Sequence, residues 1–156
     1  KAVLLSAASY FEYKITNDLT LLMNELTDNN SLVVEFIKKK ALEREYHKLF
    51  NWEANNANRF YKLFGDLFLK YMQFLIDQNQ QLEESVKAFL EIGRERNRLV
   101  HQNYSTFPME KTTEEIYLQY TNGLFFVTML PLKFREFNTL VKRNELRDLI
   151  KIPDKD

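Results

Sequence analysis

"LEESVKAFLEIGRERNRLVHQ", residues 82–102, decides how the chain is read. Its apolar residues recur at intervals of three and four, the period of a helix with one buried stripe. With Leu82 at zero on a helical wheel, Val86 falls near about 40°, Phe89 about 340°, Leu90 about 80°, Gly93 about 20° and Val100 about 0°. Arg96 at about 320° and Asn97 at about 60° land on that stripe, with His101 on its edge at about 100°. Arg94 and Arg98 turn toward solvent. A helix over 82–102 therefore carries polar groups where a plain bundle would carry apolar ones.

Working outward, a helix is expected over 3–27, ending in the turn "TDNNS". A second, over 31–49, begins with Ser31 as N-cap. "NWEANNAN", 51–58, reads as a loop, because Asn competes for backbone hydrogen bonds and tolerates left-handed geometry. A third helix covers 59–76, and "DQNQQ" breaks the pattern before 82. After the loop "NYSTFPMEK", Thr112 and Glu115 have the spacing of a capping box. The helix they open should kink or restart at Pro131. The tail "KRNELRDLIKIPDKD" is charged, and its last residues should fray.

Three glycines and three prolines leave little turn material for a many-stranded sheet. The expected fold is all-α, an antiparallel bundle of about five helices joined by short connections. One domain spans 1–156, with 135–156 partly a charged extension.

Lys plus Arg equals Asp plus Glu at 22 each, so any contact with nucleic acid must rest on a local patch. Cysteine is absent, which makes a reducing, cytoplasmic setting the natural expectation. The weakly charged run "IYLQYTNGLFFVTMLPL", 116–132, is interrupted by Gln119, Thr121, Asn122 and Gly123 and reads as a buried helix, not a membrane span. "AVLLSAASYFEY" lacks the basic leader of a signal peptide. With two histidines in all, no metal or other cofactor is expected. His47 reads as a packing or surface histidine. Phe60, Tyr61, Phe64, Phe68, Tyr71 and Phe74 keep helical spacing and read as core, and "KKK" at 38–40 as a solvated face.

Helix 3–27 repeats the oddity of 82–102. Leu5, Ala8, Ile15, Leu19, Leu22, Met23 and Leu26 form one face, and Glu12 lands within it. A buried charge is costly unless paired. Glu12 and Arg96 are therefore expected to meet, directly or through one more polar group, which would hold the guanidinium in a fixed orientation. Such a pair can equally set register in a structural bundle and catalyse nothing.

Arg96-Asn97-Arg98-Leu99-Val100-His101 places a polar residue after an arginine and a histidine after four intervening residues. This resembles the R-x4-6-H motif of the HEPN superfamily of all-α proteins, many of them metal-independent RNA endonucleases. Arg94 also fits the spacing, with six intervening residues. "SAASYFEYKITNDL", 6–19, which contains Glu12, is similar to the first helix of the RiboL-PSP-type group. "REYHKLFNWEANNANRFYKLFG", 44–65, looks like the middle of those proteins. The resemblance spans about residues 3–135.

The resemblance implies a homodimer whose motif helices face each other across one composite cleft. RNA supplies its own nucleophile, the 2′-hydroxyl. His101 would remove its proton, an imidazole having an ordinary pKa of about 6.5. Arg96 would stabilise the phosphate with its planar fork. His101 of the partner subunit or Arg96 of the partner subunit would serve the leaving 5′-oxygen. Asn97, one turn before His101, would orient the imidazole or the substrate, and Glu12 would position Arg96. Arg94, Arg98 and Tyr104 would grip the RNA backbone or stack a base. A 2′,3′-cyclic phosphate product and resistance of DNA follow. The corresponding setting is defence, toxin–antitoxin or RNA repair, with an antitoxin or larger system as partner. The alternative is a non-catalytic dimerisation, RNA-binding or nucleotide-binding module of the same shape.

Overall fold

The computed structural model describes residues 1–151. The final residues of the tail, expected to fray, lie outside the described part. Among the described residues there is no strand. The α-helices are α1 Ala2–Leu26, α2 Ser31–Ile37, α3 Asn58–Lys62, α4 Asp66–Asp77, α5 Gln80–His101, α6 Thr113–Lys142 and α7 Leu146–Ile150.

Local chemistry sets most of the ends. α1 stops where Asp28 and Asn29 take φ of 52° and 57°, left-handed geometry that Asp and Asn tolerate. The N-cap of α2 is Asn30, not Ser31, because the Asn30 side chain accepts from the Val33 N–H at 3.2 Å. Asn79 does the same for α5, accepting from Leu82 at 3.0 Å, so that helix starts before 82. Both arms of the Thr112–Glu115 capping box close, at 3.1 and 2.7 Å.

Among the described residues seven α-helices stand where about five were expected: the one expected over 59–76 splits in two, the charged tail adds α7, and the one expected over 31–49 breaks off early. The helix expected over 31–49 ends at Ile37 and passes into a single π-helical turn, Lys38–Leu42, closed by Glu43 N–H on the Lys38 carbonyl at 2.7 Å. Arg44 then takes φ 60°, and a 3-10 turn at Tyr46–Lys48 re-aims the chain. The helix expected over 59–76 splits into α3 and α4 at Gly65, whose φ of 102° is closed to most side chains. Pro131, by contrast, neither ends nor restarts α6. Phe126, Val127, Leu130 and Phe134 are buried on both sides of it, so packing holds the helix through one missing hydrogen bond.

α5 packs against α6 and α1. Lys111 meets Glu91, Gly123 faces Phe89 and Phe126 meets Ser85, so α6 runs antiparallel to α5. α1 also runs antiparallel to α5, since Lys1 Nζ reaches the Tyr104 carbonyl at 2.6 Å while Phe11 packs on Phe89. Two devices fasten α5 to α6. Ser85 Oγ donates to the Asn122 carbonyl and accepts from the Phe126 N–H, both at 2.6 Å. A Cβ on Gly123 would lie 3.0 Å from the Phe89 backbone, so that glycine lets the two backbones approach. The centre is aromatic: Phe11, Phe50, Phe60, Phe89 and Phe126 come from five segments, and Phe68 stacks on Phe134 at 4.5 Å. Phe74, read as core, is only partly covered. Leu146 of α7 is buried, so the charged tail contributes an apolar anchor.

Candidate active site

The buried face of α5 rotates along the helix. Leu82, Val86, Phe89 and Leu90 are covered in the first half, and Ile92, Glu95 and Leu99 in the second. Val100 is exposed, contrary to the wheel. Arg96 and Asn97 therefore sit half-buried at the margin of the stripe, not in its middle, and His101 is exposed at the helix end. Arg96 Nη1 donates to Asn97 Oδ1 at 3.2 Å.

Glu12 is likewise on the margin. Phe11 takes the buried position beside it, and the Glu12 side chain is 41% exposed. The group facing it is His47, not Arg96: Nε2 of the imidazole lies 3.6 Å from Oε2, an ion pair when the ring is protonated. Arg96 lines a water-sized void together with His47, Tyr46 and Trp52. The carboxylate expected to meet Arg96 thus faces a third group, His47, which lines the same void as Arg96.

His47 sits among charges. Burial lowers its pKa from the ordinary 6.5, the Arg96 guanidinium lowers it further, Glu12 pulls the other way, and His101 adds a smaller lowering. Nδ1 is buried and has no hydrogen-bond partner. Tyr46 is pushed well above the usual phenol range by burial, then by the Glu12 charge, with Arg96 opposing. It stays a neutral phenol wedged behind the site.

The lowered pKa of His47 has a consequence for stability. Below pH 6.5 the unfolded chain binds a proton that the folded chain resists, so stability falls as pH drops through that region and is recovered as pH rises above it. Melting temperatures at pH 7.5 and 5.5 should show a smaller difference in His47→Gln than in the wild type; an equal difference would contradict the assignment.

The turn that carries His47 is held from α5. Trp52 Nε1 donates to the His47 carbonyl at 2.9 Å. The Trp52 ring lies on Gly93, and the Trp52 carbonyl accepts from Arg94 Nε at 3.0 Å. Arg94 also bonds Glu91 at 2.7 Å and reaches the Ala54 carbonyl at 3.4 Å. The expectation that Arg94 faces solvent is corrected: its side chain is only 19% exposed, and it pins the 52–54 segment. Arg98 does face outward and pairs with Glu95 at 3.0 Å. Tyr104 is exposed, with Lys1 Nζ 5.3 Å from its ring centre.

Glu12 from α1, His47 from the 46–48 turn and Arg96 from α5 are thus neighbours, with Asn97 bonded to Arg96 and His101 exposed at the end of the same helix. A carboxylate, two imidazoles and a guanidinium can move protons and bind a phosphate. His47 is the group that sequence reasoning missed. Its one signal was that both histidines of the chain fall within segments resembling the same family. Among the described residues no three His, Cys, Asp or Glu side chains gather as metal ligands. Among them, too, no helix is long and apolar enough to cross a membrane.

An all-α bundle whose helix α5 carries Arg96-Asn97-x3-His101 has the features of the HEPN superfamily. The RiboL-PSP-HEPN family model matches residues 1–150, and the chain belongs to that family. No curated protein and no solved structure matches it. Membership supports an RNA-related function.

Proposed function

We propose that the protein is a metal-independent RNA endonuclease that cleaves by attack of the 2′-hydroxyl on the adjacent phosphate. The observation that carries this reading is the Glu12–His47 pair at 3.6 Å beside the void that Arg96 lines, in a chain of the RiboL-PSP-HEPN family. Arg96 stabilises the crowded phosphate, since a permanently charged fork can donate to two of its oxygens. His101, exposed at the end of α5, moves one of the two protons. Asn97 bonds Arg96 and holds its guanidinium. Arg98 and Tyr104 are the exposed groups that would meet the strand; Arg94 holds the 52–54 segment, and through Trp52 the turn of His47.

In this reading the protein works in the cytoplasm as a homodimer, in a defence, toxin–antitoxin or RNA-repair system, with an antitoxin as a further partner. Exposed Tyr13, Tyr117 and Leu118 give it apolar surface for such contacts. The test is cleavage of an RNA in EDTA beside the same oligonucleotide carrying 2′-deoxy sugars. The expected outcome is cutting of the RNA alone, leaving a 2′,3′-cyclic phosphate. Cutting of both strands, or of the RNA only after a metal is added, would exclude the mechanism. The second reading, a non-catalytic dimerisation module, is favoured by the balanced charge of the chain, which gives no general attraction for RNA; it predicts a dimer without RNA cleavage.

A further inference from the structure

The segment that carries His47 and Trp52 continues along the flank of α5. Trp52 lies on Gly93, Arg94 holds the Ala54 carbonyl at 3.4 Å, and Asn55 and Asn58 line a cavity with Val86. The loop, α4 and α5 bound this cavity, whose volume of about 360 Å³ falls in the ~300–1,000 Å³ range of small-ligand sites. Ile76 and Val86 give it apolar wall, and Gln73 adds a third amide. The side chains of Asn55, Asn58, Gln73 and Asp77 make no hydrogen bond or ion pair among the described residues. Glu83, also in the lining, is already paired with Lys87 at 2.9 Å. Asp77 breaks a local rule. It closes α4, where the helix dipole opposes a carboxylate, and no basic residue of the last turn offsets it. Uncompensated violations of this kind are expected at functional positions.

No lysine or arginine lines the cavity, so it is not built to hold phosphate. Amides and carboxylates between apolar walls are the groups that read the edges of unpaired bases. A carboxylate offers two adjacent acceptors and no donor. Guanine alone among the RNA bases presents two adjacent N–H donors, N1–H and N2–H, on its pairing edge. Uracil sets a carbonyl on each side of its one N–H, and a carboxylate repels both. We propose that this cavity is a guanine-binding subsite, in which Asp77 accepts from N1–H and N2–H of an unpaired guanine and the loop amides donate to its O6 or N7. Its role rests on the ribonuclease reading above: a guanine held here selects which bond of a single strand is presented for cutting. Val86 and Arg96 stand ten residues apart, about 15 Å along α5, so the guanine is read at a distance from the cut bond. Asp77 determines specificity and takes no part in the chemistry. The subsite belongs to each protomer and is independent of how two protomers share their catalytic groups.

The experiment has two arms. In the first, guanosine, adenosine, cytidine and uridine are titrated separately into the full chain, and the side-chain amide signals of Asn55, Asn58 and Gln73 are followed by NMR. Guanosine should shift them saturably and bind about tenfold more tightly than uridine, and Asp77→Asn should lose that preference. Asp77 is exposed and its charge opposes the helix dipole, so Asp77→Asn should melt no lower than the wild type. Amide signals that respond to all four nucleosides alike, or to none, would overturn the proposal. So would signals that move with spermidine while guanosine fails to compete, which would make the cavity a cation site. In the second arm, the ends left by cleavage of a random-sequence RNA are mapped. The wild type should favour a guanine at a fixed offset from the cut, and Asp77→Asn should cut the same pool without that preference. Cutting by the wild type with no guanine preference would overturn the proposal and leave the ribonuclease reading standing. Guanosine binding by a protein that cuts no RNA would overturn the ribonuclease reading and leave the guanine site standing.

Discussion

Arg96→Ala should lower RNA cleavage by roughly 10²–10³-fold, the cost of losing one preorganised donor set at a developing charge. His101→Ala should lower it by roughly 10²–10⁴-fold, the range for one proton-transferring side chain. Neither loss should come from unfolding. The Arg96 side chain is half-buried and bonds its neighbour Asn97, and His101 is exposed, so neither deletion strands a buried charge. The Arg96 stem does cover part of the void beside Trp52, so a small packing loss is expected there. Arg96→Lys should restore little, because a point charge lacks the planar fork. The measurement is single-turnover cleavage beside a thermal melt of each variant. Arg96→Ala and His101→Ala that cleave within threefold of the wild type would remove both residues from the chemistry.

How much of this was legible beforehand depends on the range of the interaction. The last capping box could be read from Thr112 and Glu115 because its donors and acceptors lie within one turn. The long periodic helices α1, α5 and α6 were legible for the same reason: periodicity is local. The breaks were not. Nothing in "KKKALERE" announces a π turn, and Gly65 by itself is as compatible with a weak helix as with a φ of 102°. Arg94 and Arg96 differ by two places on one helix, yet one pins a loop through the Trp52 carbonyl and the other lines the site. That choice depends on where residues 47–54 cross α5, which is a tertiary fact. The same crossing put His47, and not Arg96, against Glu12. The wheel had the right residues near each other and the wrong one in contact.

Gly93→Ala carries the largest expected effect on stability. Replacing a mid-helix glycine by alanine ordinarily stabilises by about 0.8–1.0 kcal/mol, because alanine is the better helix former. Here a Cβ would lie 2.1 and 2.2 Å from two carbons of the Trp52 ring, far inside contact distance. The ring cannot simply swing aside. Its Nε1 is bonded to the His47 carbonyl, its own carbonyl is held by Arg94, and Tyr46, Phe50 and Phe89 crowd its faces. Overpacking of this kind costs about 1–3 kcal/mol and at times more, which exceeds the propensity gain. At about 2–4 °C per kcal/mol for a chain of this size, the melting temperature should fall by several degrees, not rise. Because Trp52 fixes the turn that carries His47, the folded variant should also show a disturbed His47 titration. Trp52→Leu placed on Gly93→Ala should recover part of the melting temperature, by removing the ring that the new methyl strikes. A Gly93→Ala protein that melts at or above the wild-type temperature would show that the 47–54 segment is not braced against α5, and the account of how His47 is held would fall with it.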